Sequence, residues 1–261
     1  ALRTQLDKGL SFPAARQAAL AQLGVKACIL ETPNNILAVE YCKAILSQGC
    51  SMKPFAIHRE GSYHAEIADS ENPSATAVRN LMLIAHNWKN CVPKAARPIF
   101  ETAALHNLEA GERAILSRLR TMTDEEFEAI PFGSEGLWRK LMHNARRFAC
   151  LEDVLTATKS KRYTRTRLDR MVMCAFLGIT KEVMETPVPY TRVLGFTDRG
   201  RTILGNHKKS GVFRNAGEWV DHPYQKLEKR CGDLYGLFAE SVPEAPGAEE
   251  TYRVYYHREQ P

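Results

Sequence analysis

The chain lacks the segments that mark membrane, secreted and metal-binding proteins. No apolar run approaches the ~20 residues that a membrane-spanning helix needs. Its 7 cysteines are odd in number and scattered, and no pair has the C-x-x-C spacing typical of zinc and redox sites. No signal-peptide pattern follows Ala1. We therefore expect a cytoplasmic protein with reduced thiols, without a membrane contact or a metal site, and we expect this chain to be a piece of a longer protein.

Common short motifs of catalysis and nucleotide binding are missing too. The sequence has no P-loop, no G-x-G-x-x-G turn and no H-E-x-x-H. His58 and His64 have no second metal-type ligand at a useful spacing, so we interpret them as structural or surface residues. The scattered serines define no catalytic triad. The residues alone therefore leave the catalytic groups unknown.

Composition is ordinary for a globular protein, but the basic residues are unevenly placed. The 261 residues, 44% of them apolar and 25% charged, suffice for about two domains. The net charge is +6, and the segment Lys159–Arg170 alone holds six basic residues against one acid, Asp169. Cations clustered beside hydroxyl and aromatic groups are typical of a polyanion-binding site.

Hydrophobic spacing predicts an α/β organisation first and mostly helices afterwards. Residues 11–24 and 36–48 have helical patterns, and Lys53–Arg59 is predicted as a strand that Pro54 restricts to an edge or a strand start. Boundaries are predicted near residues 83 and 185. Further helices are predicted at 93–108, 112–122, 123–129, 134–148, 151–158, 164–177 and 224–239, a strand at 192–196, and a linker at 242–248 before a polar tail.

The segment Pro73–Arg79 has the composition of an anion-binding helix start. Ser74 and Thr76 can donate hydroxyl hydrogen bonds to phosphate oxygens, and Arg79 can bind them with two N–H groups. Free backbone N–H groups and the helix dipole add a positive field there. The alternative is an ordinary N-cap serine followed by a solvated arginine.

Two further places predict ligand contacts in the first region. Asn34 or Asn35 caps the following helix or, alternatively, reads a nucleotide group with its amide. Arg59 and Glu60 stand where the predicted strand ends and a loop begins, which is where α/β folds place ligand contacts. The alternative for Arg59 is again a solvated side chain.

The basic segment is predicted to bind nucleic acid rather than to be a solvated helix end. Its cations recur at helical spacing, which suits a phosphate backbone, and Tyr163 is available to stack on a base. The predicted RNA-binding residues are Lys159, Lys161, Arg162, Tyr163, Arg165, Arg167 and Arg170.

Taken in order, these segments resemble the tRNA(Met) cytidine acetate ligase family of bacterial nucleotidyltransferases, as far as about residue 235. The matching segments are Lys8–Ala15, Pro33–Ala38, Tyr41, Lys53-Pro54 leading to Arg59, Tyr63-His64, Ser74–Arg79, Lys161–Leu168 and Arg192–Phe196. The resemblance implies that ATP, with Mg2+, and acetate give acetyl-adenylate. The acetyl group then passes to N4 of the wobble cytidine of elongator tRNA(Met).

The resemblance also assigns domains and nucleotide-binding residues. It implies the C-terminal part of a Rossmann-like nucleotidyltransferase domain in 1–83, a helical tRNA-binding domain in 84–185, and a mixed segment with a polar tail in 186–261. The implied ATP-binding residues are Asn34, Arg59, Ser74, Thr76 and Arg79. Glu60 is predicted as a nucleotide-binding residue from its place beside Arg59.

One element of the family is missing from these residues. The family carries a His-x-Gly-His turn that stabilises charge on the α-phosphate, and no His-x-Gly-His occurs in this sequence. We therefore expect the isolated chain to be inactive, with the N-terminal half of the domain removed or supplied by another chain. The alternatives are a non-catalytic RNA-binding module and a nucleotidyltransferase for a small molecule, which would leave the basic cluster unexplained.

Overall fold

The computed structural model divides into two compact units, residues 1–103 and residues 104–261. The domain boundaries predicted at 83/84 and 185/186 stay predictions. The residues that the structure describes are 1–57, 73–84, 87–187, 190–206, 212–213 (backbone only), 222–242 and 245–258.

The described part of the first unit is helical. Single 3₁₀ turns at Ala27–Leu30, Trp88–Cys91 and Lys94–Ala96 separate some of its helices. The α-helices are α1 (Leu2–Asp7), α2 (Phe12–Gln22), α3 (Pro33–Ser47), α4 (Ala75–Leu83) and α5 (Arg97–Thr102).

Local sequence signals explain the bounds of α2 and α3. Ser11 precedes α2 in extended backbone, with Pro13 in the first turn, and Gly24 follows it with a φ of +71° that favours glycine. The side chain of Thr32, rather than of either asparagine, caps α3: its Oγ1 accepts a hydrogen bond from the Asn35 amide at 3.4 Å. The predicted capping by Asn34 or Asn35 is therefore wrong, because the helix begins at Pro33 and both asparagines lie in its first turn.

The strand predicted for Lys53–Arg59 is also wrong over its described part. Residues 51–57 have no regular secondary structure. Phe55 is 89% exposed and Ile57 is 83% exposed, so the alternation of apolar residues has no described layer to pack against. A strand exists only through pairing, and no described residue pairs with this segment.

The second unit is a helical core followed by short paired strands. Its elements are α6 (Leu108–Thr121), α7 (Asp124–Ala129), α8 (Leu137–Ala145), α9 (Leu151–Thr158), α10 (Arg165–Leu177), α11 (Lys181–Glu185), β1 (Thr191–Arg192), β2 (Gly195–Thr197), α12 (Asp198–Asn206), β3 (Val212–Phe213), α13 (Pro223–Tyr235), α14 (Ala248–Thr251) and β4 (Tyr255–His257).

The helices α6 to α10 bury one continuous apolar cluster. Its fully buried members include Ile115, Leu119, Phe127 and Leu141. A capping box begins α7, in which the Thr123 side chain and amide exchange hydrogen bonds with Glu126. The predicted single helix over 93–108 is wrong, because α5 ends at Thr102 and α6 begins only at Leu108.

A buried polar contact fixes α8 against the end of α9. The Asn144 amide Nδ2 donates to Thr158 Oγ1 at 3.0 Å, and the Thr158 hydroxyl donates in turn to the Val154 carbonyl at 2.6 Å. Asn144 is 7% exposed and Thr158 is fully buried. Each buried polar group therefore has a partner, as a tightly packed helix pair requires.

We expect Thr158→Val to lower the free energy of unfolding by about 1–3 kcal/mol, because it leaves the buried Asn144 amide without its acceptor. Thr156→Val makes the same change on the exposed side of α9 and should stay within about 0.5 kcal/mol of the parent. Urea denaturation of the parent and both variants measures the difference. Equal losses in the two variants would show that the buried contact adds nothing.

Two pairs of parallel strands lie among the residues after 186. β1 pairs with β3, and β2 pairs with β4 in the register Gly195 to Tyr255. The Tyr252 hydroxyl donates to the Leu194 carbonyl at 2.7 Å, which adds a side-chain contact beside the second pair. The predicted polar tail therefore contains an ordered strand. No helix in the described residues is long and apolar enough to cross a membrane.

Candidate functional site

Ser74 shapes the beginning of α4. Its backbone is extended, its Oγ accepts a hydrogen bond from the Ala77 amide at 3.0 Å, and only 1% of the residue is exposed. Ser74 is thus the N-cap of α4. No described residue accepts a hydrogen bond from the amides of Ala75 and Thr76, and these N–H groups lie at the positive end of the helix dipole.

Thr76 and Arg79 lie three residues apart, and hence on one side of α4. Thr76 is half-buried and Arg79 is exposed. Within the described ranges Arg79 forms no ion pair. A helix start with two amides, a hydroxyl and a guanidinium on one side can bind a phosphate group.

The other predicted nucleotide-binding residues are only partly placed. Asn34 is half-buried in the first turn of α3, and no hydrogen bond or ion pair joins it to Thr76 or Arg79. Arg59 and Glu60 lie outside the described residues. The meeting of all these groups around one nucleotide therefore stays a prediction.

The apolar side of α3 carries a feature that sequence reasoning missed. None of the residues of α3 is buried, and Leu46 is 80% exposed. A broad groove of about 830 Å³ runs along the helix, lined by Ile29, Asn35, Ala38, Val39, Cys42, Lys43, Leu46, Ser47 and Ala56. A groove of this size and apolar character is typical of a contact surface. In the sequence, the apolar run Ile36–Leu37–Ala38–Val39 was the signal that could have indicated this surface.

Acidic residues outside the predicted basic segment neutralise part of it. The Arg162 guanidinium lies 2.8 Å from a Glu135 carboxylate oxygen, and the Tyr163 hydroxyl donates to the other oxygen at 2.6 Å. Partial burial, and then this hydrogen bond, raise the pKa of Tyr163. Glu135 is thus bound to two of the predicted RNA-binding side chains, Arg162 and Tyr163.

Arg165 is held by two carboxylates. It binds both oxygens of Glu152 at 2.6 and 2.7 Å, and its Nε donates to Asp169 at 2.9 Å. The hydrogen bonds from Arg165 lower the pKa of the Glu152 carboxyl. Arg165 therefore links α9 to α10, and its charge is already balanced.

The remaining four cations of the segment have no acidic partner among the described residues. Arg167 donates to the Phe132 carbonyl and the Ser134 hydroxyl, both at 2.9 Å, while Arg170 donates to the Thr166 carbonyl at 3.3 Å. Lys159 and Lys161 are exposed. The positive charge offered to a polyanion is therefore smaller than the sequence suggests.

A family model described as HIGH Nucleotidyl Transferase matches residues 1–249. The tRNA(Met) cytidine acetate ligase of Clostridium novyi (strain NT) is 34% identical over 258 residues, which are 92% of this chain and 62% of that protein. The tRNA(Met) cytidine acetate ligase of Halalkalibacterium halodurans is 33% identical over 275 residues, 97% of this chain and 66% of that protein. The chain thus spans less than two thirds of the length of these relatives.

Solved structures of Thermotoga maritima TmcAL have a similar fold. The apo form I structure matches 99% of this chain and 70% of that chain, with a TM-score of 0.84 and 28% identity. The structure bound with alpha-thio ATP matches 99% of this chain with a TM-score of 0.81. The resemblance inferred from the sequence motifs is confirmed. Because the family model covers nearly all of its residues, the chain belongs to the HIGH nucleotidyl transferase family.

Proposed function

We propose that this chain works in an ATP-dependent ligase that acetylates a cytidine of tRNA(Met). The observation that carries the proposal is the fold likeness over 99% of the chain to TmcAL bound with alpha-thio ATP. The names of the relatives from Clostridium novyi and Halalkalibacterium halodurans indicate a cytidine of tRNA(Met) as the acceptor and acetate as the source of the acyl group. The basic surface of the second unit supports an RNA substrate.

The proposed reaction has two steps. A carboxylate oxygen of acetate attacks the α-phosphorus of ATP, and the bond to the pyrophosphate leaving group breaks, which gives acetyl-adenylate. The N4 amine of the wobble cytidine then attacks the acetyl carbon and releases AMP and a proton. In this proposal Mg2+ enters as a ligand of the ATP phosphates, the usual binding mode of this ion at nucleotide sites.

The start of α4 is proposed to bind the phosphates of ATP. Its free amides and Arg79 would offset negative charge that builds up on the leaving pyrophosphate. Thr76 adds a hydroxyl donor on the same side. Asn34 and Arg59 are proposed to complete the nucleotide site, in agreement with the resemblance, together with Glu60 beside Arg59.

Adenylation itself is proposed to need residues beyond the 261 of this chain. No His-x-Gly-His occurs among them, and the TmcAL structure contains a further 30% of chain that this sequence does not match. We propose that part of the unmatched segment packs on the exposed apolar side of α3. The charge-stabilising turn would then reach the α-phosphate.

The second unit is proposed to bind the tRNA. Lys159, Lys161, Arg167 and Arg170 have no described acidic partner and are proposed to contact phosphates, with Tyr163 beside them. Arg162 and Arg165 would contribute only after leaving their carboxylates, which makes them weaker candidates.

A complementation assay tests the proposed function. The chain is mixed with the portion of the Clostridium novyi relative that it does not cover, and with ATP, labelled acetate and a tRNA(Met) transcript. We expect label in N4-acetylcytidine, and none when ATP is omitted or when another tRNA is supplied. Tight binding of the tRNA without acetyl transfer would instead favour a non-catalytic RNA-binding module.

A further inference from the structure

The helix α8 and the turn after it form the longest acid-free stretch near the basic segment. Residues 136–151 contain four Lys and Arg residues and no Asp or Glu. The stretch did not stand out in the sequence, because its cations are spread between apolar residues. The four basic residues are Arg139, Lys140, Arg146 and Arg147.

Packing of α8 turns these cations outward together. Leu137, Leu141 and Ala145 are buried on one side of the helix, whereas all four cations are exposed. The buried hydrogen bond from Asn144 to Thr158 fixes the orientation of α8 against α9. The basic side of the helix therefore has a fixed direction.

Three of these four cations are not neutralised by the described residues. Arg146 pairs with Asp124 at 3.2 Å. The guanidinium of Arg139 lies 4.9 Å from the centre of the Trp138 ring, and that of Arg147 lies 5.9 Å from the centre of the Phe148 ring. Contacts with aromatic rings leave the N–H edges of a guanidinium available to an anion.

Lys140 joins α8 to the predicted basic segment. Its ammonium donates to the Lys159 carbonyl at 3.3 Å, so α8 lies directly beside the end of α9, where Lys159 and Lys161 are exposed. Five exposed cations without a described acidic partner thus lie on α8, on the turn after it and at the adjoining end of α9. We name this set the α8 surface; its members are Arg139, Lys140, Arg147, Lys159 and Lys161.

The ion pairs of Arg162 and Arg165 make the predicted basic segment a weaker site for a polyanion than the α8 surface. Arg162 and Arg165 each lie within 3 Å of a carboxylate, so a phosphate would have to displace Glu135 or Glu152. No such exchange is needed on the α8 surface. From residue 139 to its end at Ala145 the helix rises by about 9 Å, a length over which a nucleic-acid strand presents roughly two to three phosphates.

We propose that the α8 surface is the main phosphate-binding surface of the second unit and that it holds the sugar-phosphate backbone of the tRNA. The inference rests on the proposed function, which identifies the partner as a tRNA. It places the centre of the phosphate contact on α8 instead of α10. Cations of this kind position an RNA backbone without reading its sequence. Discrimination between tRNAs would then come from other residues.

Salt dependence of tRNA binding tests the proposal on the full chain. A fluorescent tRNA(Met) transcript is titrated at several salt concentrations with the parent and with Arg139→Gln/Lys140→Gln/Arg147→Gln. Each lost phosphate contact lowers the slope of log K against log salt by roughly 0.7 to 0.9. We therefore expect the triple variant to flatten the slope by about two units.

Two controls make the result specific. Arg3→Gln/Lys26→Gln/Lys94→Gln removes the same charge from exposed positions of the first unit and should keep the parent slope. Arg162→Gln/Arg165→Gln removes two ion-paired cations and should flatten it by less than about one unit. If the triple variant unfolds, the single variants Lys140→Gln and Arg147→Gln replace it, each with an expected change of roughly 0.7.

The proposal would be overturned if the folded α8 variant kept the parent's slope of log K against log salt while the Arg162/Arg165 variant had a flatter one. That result would leave the proposed tRNA-binding function intact. Failure of the parent itself to bind tRNA would overturn the proposed function together with the α8 surface. Circular dichroism of every variant establishes that it is folded. The conservative variant Arg139→Lys/Lys140→Arg/Arg147→Lys should restore the slope.

Discussion

The isolated chain should give no exchange of labelled pyrophosphate into ATP above background, with acetate present and tRNA absent. The reason is the missing His-x-Gly-His turn: an adenylation site needs donors aimed at the charge that develops on the α-phosphate. Loss of one such donor alone slows a reaction by about 10²–10³-fold. Filter assays of charcoal-bound ATP measure the exchange.

The matched control is the same assay on the chain complemented with the portion of the Clostridium novyi relative that it does not cover. Exchange should appear there and require acetate. Robust, acetate-dependent exchange by the isolated chain would refute the proposal that the α-phosphate is activated from outside these residues. It would also require a catalytic centre within the sequence that neither its motifs nor its described contacts identify.

Arg79→Ala should weaken ATP binding to the complemented protein by roughly ten- to a hundredfold. A charge-assisted hydrogen bond to phosphate contributes about 1.5–3 kcal/mol, and Arg79 has no described carboxylate that would compete for it. Isothermal titration with ATP measures the change. The control Arg3→Ala removes one exposed charge elsewhere in the first unit and should not alter the dissociation constant.

Ser74→Ala is expected to have the smaller effect on ATP binding. The structure also assigns Ser74 a second role, since its Oγ caps α4 at 3.0 Å from the Ala77 amide. Removing an N-cap costs about 0.5–2 kcal/mol of stability, so the thermal midpoint must be compared alongside the affinity. An unchanged ATP affinity in Arg79→Ala would leave this segment an ordinary helix start.

Short-range signals predicted much of the second unit. The helix predicted over 151–158 is α9 as observed, and the stripe Leu168, Met171 and Val172 is buried on α10. Capping and apolar spacing act within a few residues, so a sequence contains them directly. The predicted helix bounds were wrong where non-helical residues interrupt a helical pattern, as between Thr102 and Leu108.

Long-range contacts could not be predicted in the same way. The acids that neutralise Arg162 and Arg165 are Glu135 and Glu152, which lie 27 and 13 residues away along the chain. Counting charges within the segment therefore overstated its positive field. The sequence could predict an anion-binding site at the start of α4, because Ser74, Thr76 and Arg79 lie next to one another in sequence. The contacts of Asn34 depend on the tertiary fold, so the complete nucleotide site stays a prediction.

The pairing of β2 with β4 has a consequence for the order in which the second unit folds. The nearby contact of Tyr252 with Leu194 closes a loop of 58 residues, whereas neighbouring helices such as α8 and α9 meet across a short turn. Closing a longer loop costs more chain entropy, and contacts between distant residues slow folding. We therefore expect the helical core to form first and the pairing of β2 with β4 to follow it.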